Sequence, residues 1–172
     1  MHDGLKAFIR DVPDFPTQGI LFRDITPLLR DAAALRQTVD ALAAPFRGHG
    51  VDVVAGVESR GFLFGAPLAL ALGVGFIPIR KRGKLPSATI RRSYALEYGA
   101  NELEIHSDAV HRGERVLLVD DVLATGGTAA ASAELVEELG GHVVGLAFVL
   151  ELAELAGRAR LPGREVVTLL TY

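Results

Sequence analysis

The sequence predicts an α/β fold in which a central, mostly parallel sheet is flanked by helices. Three observations lead there. Strand-like apolar runs alternate with helix-like runs along most of the chain, the order that covers a parallel sheet with helices. Three of those strand-like runs end in charged residues, and ligands of open parallel sheets sit beyond the carboxyl ends of the strands. The 172 residues are 49% apolar, which suits one domain with one core burying about 70% of the unfolded surface.

A helix is expected over residues 4–10, followed at 13–29 by a proline-bearing stretch too irregular for a standard element. Asp31 then suits the N-cap of a helix that runs to about residue 46. Strands follow at 52–57 and 74–79, with a buried helix over 61–72 between them. Residues 61–79 carry no charge and approach the length of a bilayer span. Pro67, Gly73, Gly75 and Pro78 interrupt that run, so it reads as the helix and the strand rather than as a membrane segment. Residues 80–99 read as a long excursion. Val116, Leu117, Leu118 and Val119 form a buried strand with Asp120 and Asp121 at its carboxyl end, and a helix spans about 126–139. A strand at 142–150 and a short one at 166–171 complete the order.

Composition excludes several classes of function. The net charge of −3 supplies no global positive field, which argues against a nucleic-acid partner. Cysteine is absent, which removes disulfides, thiolate metal sites and a thiol nucleophile, and a cytoplasmic location is the simplest expectation. The N-terminus lacks the pattern of a secretory signal. The five histidines show no metal-ligand spacing with acidic partners.

The most informative segment runs from Asp120 to Thr128. Gly126 and Gly127 let the backbone turn sharply and bring N–H groups to an anion, Ala124 keeps the loop small, and Thr125 and Thr128 add hydroxyl donors. The following helix points its positive end at the same spot. Asp120 and Asp121 would repel a phosphate, so they face hydrogen-bond donors such as vicinal ribose hydroxyls, or a hydrated Mg2+. Together these groups describe a site for a phosphorylated ribose. The chain contains neither a Gly-x-x-x-x-Gly-Lys run nor a Gly-x-Gly-x-x-Gly after a strand, so the two best-known nucleotide loops are excluded.

Other candidates lie upstream. Glu58, Ser59 and Arg60 join a strand to a helix, and Arg60 at the helix start opposes the dipole by up to about 1 kcal/mol. An anionic ligand removes that conflict; an arginine exposed on a loop is the alternative. Arg80, Lys81, Arg82, Lys84, Arg91 and Arg92 fall together with no acid among them, as a polyanion site or a solvated loop would require. Gly83, Pro86 and Ser87 suit a lid there. Glu97, after Ala95 and Leu96, has two readings: proton exchange with a heterocyclic nitrogen, or a salt bridge to Arg91 or Arg92. Residues 14–27 mix aromatic and turn-forming residues, as in a loop that stacks a flat ring or in a surface loop packed by its own phenylalanines.

The segment from Asp120 to Thr128 resembles the phosphoribosyl pyrophosphate (PRPP) motif of type I phosphoribosyltransferases. The stretch that begins Phe15, Pro16 and continues through Gly19, Ile20, Phe22, Arg23, Asp24, Ile25, Thr26 and Pro27 is similar to the base-binding hood of the adenine-specific members. With the Ser-Arg loop, the basic loop and Leu96-Glu97-Tyr98-Gly99, the resemblance covers about residues 13–151. It implies one domain over 1–172, with a small hood mainly from 1–30 and a flexible catalytic loop at about 80–99. It implies transfer of phosphoribosyl from PRPP to N9 of adenine, giving AMP and pyrophosphate, in a Mg2+-dependent homodimer. Asp120 and Asp121 would hold the ribose hydroxyls, and Ala124, Thr125, Gly126, Gly127 and Thr128 the 5-phosphate. Glu58, Ser59, Arg60, Arg80, Lys81 and Lys84 would meet the pyrophosphate, with the Glu58–Ser59 bond a candidate cis peptide. Leu21, Phe22 and Arg23 would line the adenine pocket, and Glu97, Arg60 and Lys81 would be catalytic. Mg2+ would be held through PRPP and water near Asp120 and Asp121, with no direct protein ligand. A xanthine or guanine transferase and a non-catalytic PRPP-sensing regulator are the alternatives.

Overall fold

The computed structural model describes residues 3–95 and 100–172. Its elements in chain order are α1 (Asp3–Lys6), β1 (Arg10–Pro13), β2 (Leu21–Asp24), α2 (Thr26–Arg30), α3 (Ala32–Ala43), β3 (Val53–Val57), α4 (Gly61–Leu72), β4 (Gly75–Lys81), β5 (Thr89–Ala95), β6 (Ala100–His106), β7 (Arg115–Leu123), α5 (Gly127–Glu138), β8 (His142–Glu151) and β9 (Val166–Thr171). Seven strands form the main sheet in the order β5-β6-β4-β3-β7-β8-β9. The five from β4 to β9 are parallel, and β6 and β5 add an antiparallel edge.

Both faces of the parallel part are covered, and the central strands show it by alternation. Val116 and Leu118 of β7 pack with α5, while Leu117 and Val119 pack with α3 and α4. Each helix has a local cause. Asp31 caps α3 by accepting from the amide of Ala34 at 2.8 Å, the cap read from the sequence. α4 is apolar all round and ends at Gly73, whose φ of +73° is the left-handed stop that glycine supplies. Among the described residues no helix is long and apolar enough to cross a membrane.

The sheet order creates the site. From β3 the chain proceeds outward to β4, whereas from β7 it proceeds the other way to β8 and β9. The carboxyl ends of β3 and β7 therefore flank the point at which the winding reverses, the place where open α/β sheets leave a crevice.

Four expectations need correction. The helix expected over 4–10 stops at Lys6, because Arg10 starts a strand that pairs β1 with β2 (Asp11↔Arg23, Val12↔Phe22). The stretch 13–29, read as irregular, contains β2 and α2, with Pro27 in the first turn of the helix, where a missing N–H costs nothing. Residues 80–99 are not one excursion: β4 reaches Lys81, and β5 pairs residue by residue with β6, a strand the sequence reading did not anticipate. Finally, Asp120 and Asp121 do not terminate their strand. β7 runs on to Leu123, because β8 continues to pair with it through Leu123↔Glu151.

Candidate active site

Glu58, Ser59 and Arg60 turn the chain from β3 into α4, and the peptide bond between Glu58 and Ser59 is cis. Glu58 Oε2 accepts from Arg80 Nε and from the amide of Lys81, each at 3.1 Å. Burial pushes this carboxyl up, but the Lys81 amide and then the Arg80 guanidinium outweigh it and hold the group below the ordinary glutamate value. This contact ties the end of β3 to the end of β4. It also fixes where Lys81 emerges.

Arg60 stands at the N-terminus of α4, where the dipole disfavours a cation. The chain itself resolves that conflict: Arg60 Nε donates to Asp121 Oδ2 at 2.5 Å. Burial lowers the affinity of the guanidinium for its proton, and the hydrogen bond and charge of Asp121 more than restore it, so the net shift is upward. Asp121 is 6% exposed, so the pair locks β7 to the start of α4 while leaving Arg60 half-exposed. Next to it, Asp120 Oδ1 accepts from the amide of Asp121 at 2.9 Å. Desolvation, and then repulsion from Asp121, push the Asp120 carboxyl well above the usual aspartate range. Gly61 is what admits the helix here, since a β-carbon on it would lie 2.9 Å from Asp120 Oδ1 and 3.0 Å from the Val119 carbonyl oxygen.

Beyond Leu123, residues 124–126 form a loop into α5. Gly126 has a φ of +80° and no side chain caps the first turn of α5, so the loop and helix present backbone N–H groups with few side chains in the way. Thr128 is fixed from the far edge of the sheet: its hydroxyl donates to the Tyr94 hydroxyl at 3.1 Å, which also accepts from Asn101 Nδ2 at 3.4 Å.

These parts enclose a cleft of about 280 Å³ whose walls include Glu58, Ser59, Arg60, Lys81, Asp120, Asp121, Ala124, Thr125, Gly126, Gly127 and Thr128. Three strand ends thus converge as their order along the chain suggested. Tyr94 and Asn101 also line the cleft, and sequence reading missed both. They face one another across the β5–β6 ladder, so only recognition of that hairpin would have exposed them.

Other predicted site residues lie elsewhere. Arg80 and Lys84 are not among the cleft's walls; the Arg80 guanidinium is held by Glu58 and by the Lys84 carbonyl at 3.0 Å. Leu21, Phe22 and Arg23 also lie outside the cleft. Arg23 pairs with Asp11 and stacks 4.1 Å from the Tyr172 ring centroid. The Phe22 ring packs edge-on against Phe15 at 5.2 Å and lies 5.9 Å from the Arg60 guanidinium carbon, which joins the hood to the site. Glu97 falls outside the described residues.

The basic stretch is less free of acids than its sequence implies. Arg80 pairs with Glu58, Arg82 with Glu102 at 2.9 Å, Arg91 with Glu104 at 3.4 Å, and Arg92 with Glu134 and Glu138. Lys81 and Lys84 have no ion pair among the described residues. The acid-free surface expected over 80–92 is therefore corrected: the turn after β3, β6 and α5 supply the counter-charges, and Lys81 is the member of the stretch that lines the cleft.

Buried Glu104 organises the turn that carries those lysines, accepting from the amides of Lys84 at 3.0 Å and Leu85 at 3.1 Å. Burial pushes its carboxyl up, but the amides of Leu85, Gly83 and Lys84, with Arg91, leave it below the ordinary 4.5. A group with a depressed folded value stabilises fully above its unfolded value and releases as pH falls through the folded one. The Lys84 and Leu85 amide NMR signals are expected to titrate with a midpoint below 4.5. A midpoint at or above that value would exclude Glu104 as the anchor.

A cleft with an N–H-rich loop, two adjacent carboxylates, an arginine and a lysine can hold a phosphate, a diol and a second anionic group at once. Among the described residues no three His, Asp or Glu side chains gather as a metal cage. The acidic pair nevertheless suits Mg2+ that arrives on a phosphorylated ligand, since this ion keeps most of its waters and takes one or two carboxylates.

The family described as phosphoribosyl transferase domain matches residues 29–166. The adenine phosphoribosyltransferase of Gloeobacter violaceus is 59% identical over 169 residues, covering 98% of this chain and 99% of that protein. The crystal structure of adenine phosphoribosyltransferase from Thermoanaerobacter pseudethanolicus superposes with a TM-score of 0.97 at 52% identity, with full coverage of both chains. That from Saccharomyces cerevisiae, complexed with an imino-altritol bisphosphate and adenine, gives 0.93 at 44% identity, covering 98% of this chain and 97% of that one. With its strand-end cleft and its likeness to these proteins along nearly its whole length, the chain belongs to the adenine phosphoribosyltransferase family.

Proposed function

We infer that this chain transfers the phosphoribosyl group of PRPP to N9 of adenine, forming AMP and pyrophosphate, a glycosyl transfer of purine salvage. The observation that carries the reading is the meeting of three groups in one cleft at the winding reversal: the loop 124–128, the acidic pair, and Arg60 with Lys81. Each takes a different part of PRPP.

The loop amides and the Thr125 hydroxyl hold the 5-phosphate, helped by the α5 dipole, and the Thr128 hydroxyl joins them by turning its proton from Tyr94 to the ligand. Asp120 and Asp121 accept from the ribose hydroxyls. Glu58, Ser59, Arg60 and Lys81 form the pyrophosphate end, with Arg80 and Lys84 shaping the turn beneath it. As the bond from C1 to pyrophosphate loosens, positive charge grows on the ribose ring. The carboxylates of the acidic pair lie where that charge develops, while Arg60 and Lys81 meet the negative charge that accumulates on the leaving group. When bound with PRPP near Asp120 and Asp121, Mg2+ supplies further neutralisation of the diphosphate.

Adenine enters between this end of the sheet and the hood. Leu21, Phe22 and Arg23 lie on β2, which among the described residues pairs only with β1. Its outer edge therefore offers backbone donors and acceptors. Such an edge suits a base read without charged side chains, and the Phe22 ring supplies a stacking face beside Arg60. Glu97 is assigned the exchange of a proton with the base at its imidazole nitrogens.

A homodimer is the assembly proposed, supported by the outward face of α4. Leu63 and Leu70, two turns apart, are 46% and 82% exposed, and apolar pairs so placed mark a contact surface. A cytoplasmic location is proposed, in keeping with a chain that carries no cysteine.

The reading is tested by product analysis with PRPP, Mg2+ and a panel of bases. AMP from adenine is expected, with no product from hypoxanthine, guanine or xanthine, and Glu97→Leu should slow AMP formation. Another nucleotide would reassign the base, and binding of PRPP without turnover would make the chain a sensor.

A further inference from the structure

The loop that faces the cleft is built almost without side chains, so its rigidity has to come from elsewhere. The source is a short segment after β8. Gly157 is buried, and its backbone lies directly against the loop. A β-carbon on Gly126 would collide with the Gly157 carbonyl, meeting its carbon at 3.1 Å and its Cα at 3.2 Å. Conversely, a β-carbon on Gly157 would collide with the Ala124 carbonyl oxygen and reach Leu123 Cδ1 at 3.0 Å. The two glycines thus require each other. The missing side chain at Gly126 makes room for Gly157.

Gly157 is itself held in place by its neighbour. Arg158 Nε donates to Glu151 Oε1 at 2.7 Å and Nη2 to Oε2 at 2.8 Å, a two-pronged ion pair. The same guanidinium donates to the Val166 carbonyl at 3.0 Å and to Thr168 Oγ1 at 3.1 Å, and Thr168 donates on to Glu151 Oε2 at 2.8 Å. Glu151 is 8% exposed and ends β8, directly opposite Leu123, the residue before the loop. The next amide, Leu152, donates to the Leu123 carbonyl at 2.9 Å. The ion pair thus ties β8 and β9 to residues 157–158 at the back of the loop, while the Leu152 amide holds the strand end before it.

We propose that Glu151, Arg158 and Gly157 form a brace that sets the affinity for the phosphorylated ribose by holding the amides of residues 124–126 in register with the 5-phosphate. These are positioning residues; none of them lines the cleft. The proposal rests on the reading of residues 124–128 as the phosphate loop. A backbone N–H has no rotamer with which to follow a displaced ligand, so a shift of the loop is felt at once as lost hydrogen bonds.

The test measures ribose 5-phosphate binding by calorimetry, and separate KM values for PRPP and adenine, in four proteins besides the wild type. Gly157→Ala pushes on the loop directly. The double variant Glu151→Gln with Arg158→Met dismantles the brace without stranding a buried charge. Arg158→Lys keeps the charge and one prong, and Thr128→Val removes a loop donor itself. Both disruptive brace variants are expected to weaken ribose 5-phosphate and raise KM for PRPP by about tenfold to a hundredfold. KM for adenine should stay within about twofold, and Arg158→Lys should recover part of the loss. A merely structural brace would instead lower melting temperature and active fraction while leaving both KM values unchanged, and that result overturns the proposal. If Gly157→Ala does not fold, the Arg158 variants decide. If Thr128→Val also leaves ribose 5-phosphate binding intact, the phosphate-loop reading itself fails; if Thr128→Val weakens binding and the brace variants do not, the brace alone fails.

Discussion

Replacing Gly126 with alanine is expected to lower kcat/KM for PRPP by about three orders of magnitude, the sum of a backbone and a packing effect. Gly126 has a φ of +80°, a conformation that disfavours an L side chain by about 1–2 kcal/mol. The larger effect is steric. The new methyl would be driven into the Gly157 carbonyl, and backbone held by the Glu151 and Arg158 network cannot step aside as a flexible side chain would. The loop must move instead. A displacement of about 1 Å is enough to lose about a hundredfold, and the backbone penalty of about 1–2 kcal/mol supplies about one further order. Steady-state kinetics with PRPP varied at saturating adenine checks this. Activity within about threefold of wild type would mean that the loop does not carry the phosphate.

Asp121→Ala is expected to be nearly as severe, and to act on folding and turnover together. Asp121 is nearly buried and accepts from Arg60 at 2.5 Å. Without it the guanidinium faces the positive end of α4 alone. Breaking a fully buried pair costs about 3–5 kcal/mol, and the half-exposed Arg60 reduces this to about 1–3 kcal/mol of stability. The catalytic loss adds to it, since one of the two carboxylates assigned to the ribose in the proposed function disappears; about a hundredfold to a thousandfold in kcat is expected. Asp121→Asn separates the two contributions. The amide oxygen still accepts from Arg60, so the melting temperature should largely recover, while kcat should not. Recovery of both would show that Asp121 only positions Arg60.

Much of this architecture is legible in the residues. The helix over 61–72 and the strand at 166–171 match α4 and β9, and β3, β4, β8, α3 and α5 lie within two residues of their expected ends or run into a short 3-10 turn. These elements carry continuous apolar runs and recognisable caps, because both faces of a parallel sheet are buried. The hood strands and the β5–β6 hairpin escaped notice for the opposite reason. β1 and β2 are four residues each and contain no buried residue, so no burial pattern marks them. Over Glu102 to His106 β6 does alternate polar and apolar residues, but that run is short, and its partner β5 interrupts its own pattern with adjacent Arg91 and Arg92.

The candidate site divides in the same way. The acidic pair and the loop 124–128 are contiguous in sequence, so their placement together at the end of β7 is legible without any tertiary contact. The basic stretch misled because its partners are remote in sequence: Glu58 meets Arg80, Glu104 meets Arg91, and two glutamates of α5 meet Arg92. Spacing along the chain carries no information about contacts made across strands.

By itself, then, the sequence determined which groups exist and in what order the strands present them: a glycine-bearing loop at a helix start, a pair of carboxylates, an arginine at a helix start and a lysine at a strand end. Only the tertiary structure decided which charges neutralise one another and which stand at the cleft. It assigned Arg60 to Asp121, Arg80 to Glu58 and Arg158 to Glu151, and it set Gly157 behind Gly126. The physical reason is one of range. Turn geometry and helix dipoles act within a few residues, whereas ion pairing and close packing depend on distances that exist only once the sheet has brought its strand ends together.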